Sequence, residues 1–451
     1  MHSTITETVA TTHVVMNMNP VFMASLILVL SYLVLFTEKV NSAVVALIGG
    51  AFMVFSGIIN EEQAFEGVDF NTLSLLIGMM SIVGIAEKSG IFQYVAIWSA
   101  KKVRANPRAI LAMMIVITAL FSAFLDNVTT VLLIVPVTFL VCEKLEVEPY
   151  PFIVAEIFAS NIGGTATLIG DPPNIIIGSA AQLSFTDFMF ELGPLILFCL
   201  AALIVFMDFL YGRKMISSLR SRAKVMMFDE RDSITDKILL IKSLVIIFLV
   251  ICGFVAAEHI HIQNGTIAMF GAAVLLMLYV KGNEKDEQDK KVEAVFAHVD
   301  WTTIFFFAGL FVIVTGFEQV GLLEVMGQWI LEISKGSLII TTMALTWISA
   351  IVSSVINNIP FVATMIPMIN SIEPDLGGRE AAMPLWWALS LGACLGGNGT
   401  LVGASANVMV AGMAQRMGYQ VSFGKFLILS LPVMLGTMVL STLYLYIRHF
   451  M

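Results

Sequence analysis

Four short polar stretches interrupt an otherwise apolar chain, and their residue types suit the binding of a small ion or oxyacid. They are Asp126-Asn127-Val128-Thr129-Thr130, the run from Ser160 to Asn174, Asn357-Asn358-Ile359-Pro360, and Gly396-Gly397-Asn398-Gly399-Thr400 with Asn407. Asparagine and threonine supply neutral oxygens, and glycine lets unwound backbone approach a ligand closely. In a bilayer such a break leaves backbone groups without helical partners, which is tolerated only where protein buries them or a wet cavity solvates them. Half-helix N-termini expose N–H groups whose partial positive charge suits an anion or the oxygens of a neutral acid. Carbonyls at half-helix C-termini suit Na+. Close helix packing through small and polar residues accounts for any one cluster alone, whereas their recurrence in duplicated positions favours a site.

Three carboxylates lie in or beside these stretches: Asp126, Asp171 and Glu156. A carboxylate in mid-membrane is costly and is by default a functional hypothesis. Asp126 is expected to coordinate a cation or take up a proton, with an N-cap role as the alternative. Asp171 precedes Pro172-Pro173, an ordinary helix-start pattern, so ion binding and capping stand side by side there. Glu156, five residues before Asn161, either joins the ion site or faces the cytoplasmic interface. No Lys or Arg falls in any of the four stretches, so an anion would rely on helix dipoles, amides and co-bound cations. The patterns of intramembrane and metal-dependent hydrolases and of ATP-binding loops are missing. The reading is therefore a non-enzyme without cofactor, driven by an ion gradient.

The elements that position these residues follow from composition. With 58% hydrophobic and 13% charged residues among 451, the chain is far from the roughly 25% charge of soluble domains and is a polytopic membrane protein. The net charge of −9 argues against nucleic acid. The first twenty residues hold no Lys or Arg, so the basic start of a signal peptide is missing. Cys142, Cys199, Cys252 and Cys394 are scattered without metal or disulfide spacing and are expected in the core. Spans are expected over 21–37, 41–59, 70–86, 188–210, 238–256, 265–280, 301–317 and 426–447, with interfacial pieces at 92–102 and 322–334. Apolar arms at 109–125 and 128–142, each short for a crossing, predict a re-entrant hairpin over 108–142; a second is expected over 337–370. Segments 151–180 and 384–414 cross only as broken helices. The linkers 211–237 and 281–300 are basic and mixed in charge respectively.

The pattern is a duplication. At an offset of 231, Asp69 matches Asp300, Gly78 matches Gly309, Glu87 matches Glu318, Gly90 matches Gly321, Asn127 matches Asn358 and Pro136 matches Pro367. After two residues of slippage, the Gly163 to Gly170 run matches Gly396 to Gly403, and Asn174 matches Asn407. Asp126 and Asp171 have Asn357 and Ala404 as partners, so the acidity belongs to the first half alone. The first repeat covers 21–210 and the second 238–451, after an extracytoplasmic tail at 1–20. Five crossings and one hairpin per half force the second half to enter upside down, and an N-terminus outside satisfies the positive-inside rule. This is an all-α, inverted-repeat transporter architecture.

The motifs resemble those of the ion transporter superfamily, especially its melanosomal P protein branch. They are Phe124 to Thr130 with Pro136, Asn161 to Asn174, Asn357 to Pro360 with Pro367, and Gly392 to Asn407. Arsenite pumps, plant silicon efflux carriers, NhaD-type sodium/proton antiporters and divalent anion/sodium symporters are more distant relatives. The resemblance covers about residues 20 to 450 and implies a homodimeric elevator carrier in the bilayer. In the symporter branch the hairpin tips read Ser-Asn-Thr with sodium beside each; Asn127 and Asn358 carry over and the hydroxyls do not, which argues against a dicarboxylate. The long N-terminal region of the animal P protein is absent, as in a prokaryotic inner-membrane homologue. The expected ion-coupling set is Asp126, Asp171, Glu156, Asn127 and Asn358, with Na+ at Asp126, Asn127, Asn358 and Asn398. The expected substrate set is Asn127, Thr129, Asn161, Gly163, Gly164, Thr165, Thr167, Asn174, Asn358, Gly396, Gly397, Asn398, Thr400 and Asn407. The function expected is a secondary carrier for a small inorganic ion or neutral oxyacid coupled to H+ or Na+, with sodium/proton antiport and an anion channel as alternatives.

Overall fold

A computed structural model describes residues 18–37 and 39–451, so most of the expected N-terminal tail and Glu38 lie outside the described residues. The first half runs through α1 (Pro20–Thr37), α2 (Ser42–Phe55), α3 (Glu61–Glu66), α4 (Phe70–Glu87), α5 (Ile91–Lys102), α6 (Pro107–Phe124), α7 (Asn127–Leu145), α8 (Tyr150–Gly164), α9 (Pro172–Ala180) and α10 (Phe185–Leu210). After a linker containing α11 (Leu219–Met226), the second half runs through α12 (Lys237–Ile260), α13 (Asn264–Val280), α14 (Lys285–Phe296), α15 (Trp301–Gln319), α16 (Leu322–Ser334), α17 (Leu338–Val355), α18 (Asn358–Ile372), α19 (Arg379–Gly396), α20 (Ser405–Arg416) and α21 (Phe423–Phe450). The order of elements from α1 to α10 thus recurs from α12 to α21. Among the described residues, eight helices are long and apolar enough to cross a membrane, and the chain is an integral membrane protein.

Local chemistry repeats with the order. Asp69 caps α4 and takes the Thr72 hydroxyl at 2.6 Å; Asp300 caps α15 and takes the Thr303 hydroxyl at 2.6 Å. The elbows before α5 and α16 are Gly90 and Gly321, with φ of 81° and 69°, a left-handed conformation that glycine adopts without steric cost. Both hairpin turns are tight. Leu125 and Asp126 join α6 to α7, and Ile356 and Asn357 join α17 to α18.

Two expectations change, the length of the hairpin arms and the burial of Cys252. The hairpin arms α6 and α7 are 18 and 19 residues long, not short of a crossing. Asn106 caps α6 ahead of Pro107, and α7 continues through Glu143 and Lys144 to a left-handed cap at Glu146. The 281–300 linker holds α14, where Glu287 and Lys291 pair at 3.2 Å one turn apart, an arrangement that supports an exposed helix. Cys252 is exposed, while Cys142, Cys199 and Cys394 are buried.

Packing separates an inner set, in which the hairpins α6–α7 and α17–α18 lie on the broken helices, from an outer set, in which α2 packs on α15 and α4 on α13. Every residue from Pro151 to Gly164 in α8 and from Pro384 to Gly396 in α19 is buried, as their all-round apolar surfaces require. α12 keeps most of its surface outward, with 28% of its apolar window buried. The halves interlock through small residues: a methyl group on Gly78 would lie 2.6 Å from the Ala268 carbonyl carbon, and one on Gly309 would lie 2.5 Å from that of Ala46. Backbones meet there directly, as at small-residue interfaces between membrane helices.

Gly309→Ala should lower the thermal midpoint of the purified protein, because an added methyl against backbone costs about 1–3 kcal/mol. Gly193→Ala, where nothing lies within 4 Å, should leave it unchanged or slightly raised. Equal midpoints for Gly309→Ala and the parent protein would remove the close contact from the account.

Candidate functional site

The two broken helices meet at the centre of the inner set, and each break is held by the asparagine that follows it. Asn174 Nδ2 donates to the carbonyls of Thr165 and Thr167 at 3.2 and 3.0 Å. Asn407 Nδ2 donates to those of Gly397 and Thr400 at 2.8 and 2.9 Å. These bonds satisfy carbonyls that the interruption frees, and both side chains are fully buried. The hairpins hold the same breaks from outside. Ser122 Oγ donates to the Ser160 carbonyl at 2.6 Å and Thr167 Oγ1 to that of Ala123. At matched positions Ser353 Oγ donates to Ala393 and Thr400 Oγ1 to Ser354.

A chain of amides then joins the halves. Asn127 Nδ2 donates to Asn161 Oδ1 at 3.3 Å, and Asn161 Nδ2 donates to Asn398 Oδ1 at 3.0 Å and Asn407 Oδ1 at 2.9 Å. In the reverse sense Asn174 Oδ1 accepts from Ser390 Oγ at 2.6 Å and Cys394 Sγ at 3.4 Å. Cys394 is the repeat counterpart of Asn161, so thiol and amide play equivalent parts. Cys394, expected only in packing, and Ser122, Ser353 and Ser390, for which the sequence predicts no role, thus belong to the site. The repeat offset was the signal that could have found Cys394, Ser122 and Ser353; Ser390 matches Ile157 and carried none.

The carboxylates separate clearly. Asp126 accepts from the Thr129 backbone N–H at 2.8 Å and from its hydroxyl, which is an N-cap for α7. Thr129 is thereby engaged at the tip, and Thr165 bonds back to the Asn161 carbonyl at 2.7 Å. Asp171 makes no capping bond to α9. Its side chain is 1% exposed, has the neutral side chains of Cys394, Asn358 and Asn127 as its hydrogen-bonding neighbours, and forms no ion pair among the described residues. Nδ2 of Asn398 is buried without a partner. Glu156 is fully buried and takes the Thr138 hydroxyl. Thr138 lies eleven residues along α7 from Asn127, roughly 16 Å at the helical rise, so the structure does not bring Glu156 to the hairpin tip. Among the described residues no three His, Cys, Asp or Glu side chains cluster as a metal site. The Asp171 carboxylate nonetheless offers hard oxygen donors of the kind Na+ takes.

The glycines expected to shape a cavity are closed contacts. Gly163 abuts the Ala119 backbone, and a methyl on Gly396 would lie 2.6 Å from Ala350 Cα. Gly164 and Gly397 face Gly170 and Gly403 across their own breaks. Open space lies beside the second hairpin instead: a cavity of about 630 Å³ reaches Asn357, Ile359 and Pro360 at its tip and Ser405 at the start of α20. Asn357 Nδ2 donates to Ser405 Oγ at 3.1 Å. At the matched place in the first half a cavity of about 410 Å³ is lined by α4, α9 and the α12–α13 turn without the hairpin tip.

A sequence profile described as citrate transporter matches residues 32–392. An uncharacterized transporter of Mycobacterium tuberculosis is 41% identical over 428 residues, covering 94% of this chain and 97% of the relative. The human P protein is 33% identical over 510 aligned positions, covering 95% of this chain and 60% of the P protein. The fold matches the YdaH transporter of Alcanivorax borkumensis with a TM-score of 0.61 at 17% identity, over 95% of this chain and 98% of that one. MtrF of Neisseria gonorrhoeae matches at 0.58 and 14%, over 96% and 95%.

Asn407→Asp keeps the shape of the side chain and removes its two donors. Both Asn407→Asp and Asn407→Ala should lower the thermal midpoint, since each buried carbonyl left unsatisfied costs about 1–3 kcal/mol. An Asn407→Asp protein as stable as the parent would show that the amide does not hold the break.

Proposed function

The chain belongs to the citrate transporter family of the ion transporter superfamily, and on that premise we propose a secondary active carrier that moves a small ion or oxyacid coupled to H+ or Na+. The observation that carries the coupling is Asp171, a buried carboxylate with neutral side chains of both hairpins beside it and no basic partner among the described residues. Leaving an ionised carboxylate so placed is costly, and a proton or Na+ bound there removes the cost. Asn127, Asn358, Asn161 and Asn398 would complete the polar shell, and solute would reach it beside a hairpin tip. The role expected for Asp126 passes to Asp171, because Asp126 is engaged as a helix cap.

Movement would follow the inner and outer sets of helices. In the proposal α6 to α9 and α17 to α20 move as a block against α1 to α4 and α12 to α15, pivoting at the Gly90 and Gly321 elbows. The repeats would be inverted across an inner bacterial membrane, with the α1–α2 turn in the cytoplasm, and the outer set would carry a homodimer contact. Sodium/proton antiport is the second reading, favoured by acidity confined to the first half.

Proteoliposomes with imposed pH or Na+ gradients test this. Asp171→Asn should abolish the ion dependence of solute accumulation while solute exchange persists, and Asp126→Asn, which keeps a capping oxygen, should retain it. Undiminished ion dependence in Asp171→Asn would remove that residue from coupling. Single-channel steps would sink the carrier reading.

A further inference from the structure

The segment that follows α10 carries apolar side chains where no membrane span accounts for them. Ile216, Leu219 and Met227 are 86%, 85% and 84% exposed, more than any other large hydrophobic side chain among the described residues except the C-terminal Met451. Helix α11 turns Ser221 and Val225 inward, where both are buried, and packs on α7 and α5. With 3.6 residues per turn, the opposite face is Leu219, Ala223, Met226 and Met227, flanked by Arg220 and Lys224 on one side and Arg222 on the other. An exposed apolar stripe between basic flanks is the pattern of a helix that lies in a membrane surface. Facing water, the same stripe would be a patch of the kind soluble surfaces avoid.

Charge and position agree with this. Between Tyr211 and Phe228 the chain has five basic residues and no Asp or Glu. Of the acidic side chains beside the segment, Asp208 is held by Arg108 and Arg213, Glu146 bonds Lys224 at 2.7 Å, and Glu148 stands near Tyr211. Lys214, Arg220 and Arg222 form no ion pair among the described residues, so positive charge is in excess. The Arg213 guanidinium lies over the Phe209 ring, 5.5 Å from its centre, and Phe209 and Val205 belong to the exposed apolar surface of α10. A basic residue folded back on the last aromatic of a span marks the edge of the hydrocarbon. Ile216 and Leu219 follow within nine residues of the end of α10 at Leu210, so the stripe continues a surface already turned to lipid.

We propose that residues 212–227 form a lipid-binding surface: Ile216 and the apolar stripe of α11 sink among the lipids at the end of α10, and Lys214, Arg220 and Arg222 meet the phosphates of anionic headgroups. Anionic leaflets attract basic segments that adjoin a span. Lys224 ties the same helix to Glu146, the cap of α7, so the lipid contact is joined to the first hairpin. The assignment stands apart from which solute the carrier moves.

The full chain in phosphatidylcholine nanodiscs, with and without phosphatidylglycerol, tests this. A nitroxide is placed at Leu219→Cys, at Met226→Cys or, as a reference on the polar helix α14, at Asp289→Cys, each with the exposed Cys252 replaced by Ser. Collisions are read with oxygen, which concentrates in bilayers, and with an aqueous nickel chelate. The oxygen-to-nickel ratio at positions 219 and 226 should exceed that at 289 by about threefold or more, as for an apolar face set below the headgroups. Phosphatidylglycerol should raise the ratio at both positions, and the combined variant Lys214→Gln, Arg220→Gln and Arg222→Gln should remove that rise. Thermal midpoints matching the parent would show that the variants are folded, and Ile216→Cys replaces either labelled variant that is not. Ratios at 219 and 226 equal to that at 289 put the stripe in water and overturn the proposal. Labels shielded from both collision partners would mean that a second copy or another protein covers the stripe, which overturns it as well. Ratios indifferent to phosphatidylglycerol overturn the headgroup assignment.

Discussion

Two interrupted helices, whose first segments α8 and α19 are buried up to the break, set the terms for this molecule. A break at that depth frees carbonyls that no water or lipid satisfies, so the surrounding protein must supply the donors. Asn174 and Asn407 do so across each gap, and hairpin and break hydroxyls tie the neighbouring backbone to the hairpins. Once these bonds are fixed, hairpin and broken helix form one unit. The close backbone contacts at Gly163 and Gly396 follow from the same requirement, because the hairpin hydroxyls reach the break only if the helices touch.

The duplication supplies the frame, and its departures supply the chemistry. Where the halves agree, at the capping aspartates, the elbow glycines and the stapling asparagines, the residues solve problems of backbone satisfaction. Where they differ, at Asp171 against Ala404, one half of a nearly symmetric structure acquires a buried carboxylate. Asn161 against Cys394 is a milder departure, since each donates to the stapling asparagine of the other half. The same link keeps the two halves in register across the centre.

Polar contact also crosses between the outer and inner sets. Tyr32 of α1 donates to the Pro360 carbonyl at 2.7 Å, next to Thr364 on the same arm of the second hairpin. Its ring lies on the wall of the larger cavity, so the opening beside this hairpin and the contact that positions the hairpin share a residue.

Much of this was legible in the sequence. Apolar run lengths placed the helices, the fixed offsets exposed the duplication, and glycines, amides and prolines in polar runs marked both breaks and both hairpin tips, because these features are local and periodic. The roles of the carboxylates were not legible. Asp126 and Asp171 each precede a helix, and spacing alone suits both to capping; only packing shows that Asp126 has the Thr129 donors while Asp171 faces side chains from three other elements. Glu156 was nearer to Asn161 in sequence than its side chain is to the hairpin tip, because it points at Thr138 instead. Sequence therefore determined the repeated frame, since helices and breaks are set by neighbouring residues. Tertiary structure decided which polar groups are left without partners, since that depends on donors brought in from distant parts of the chain.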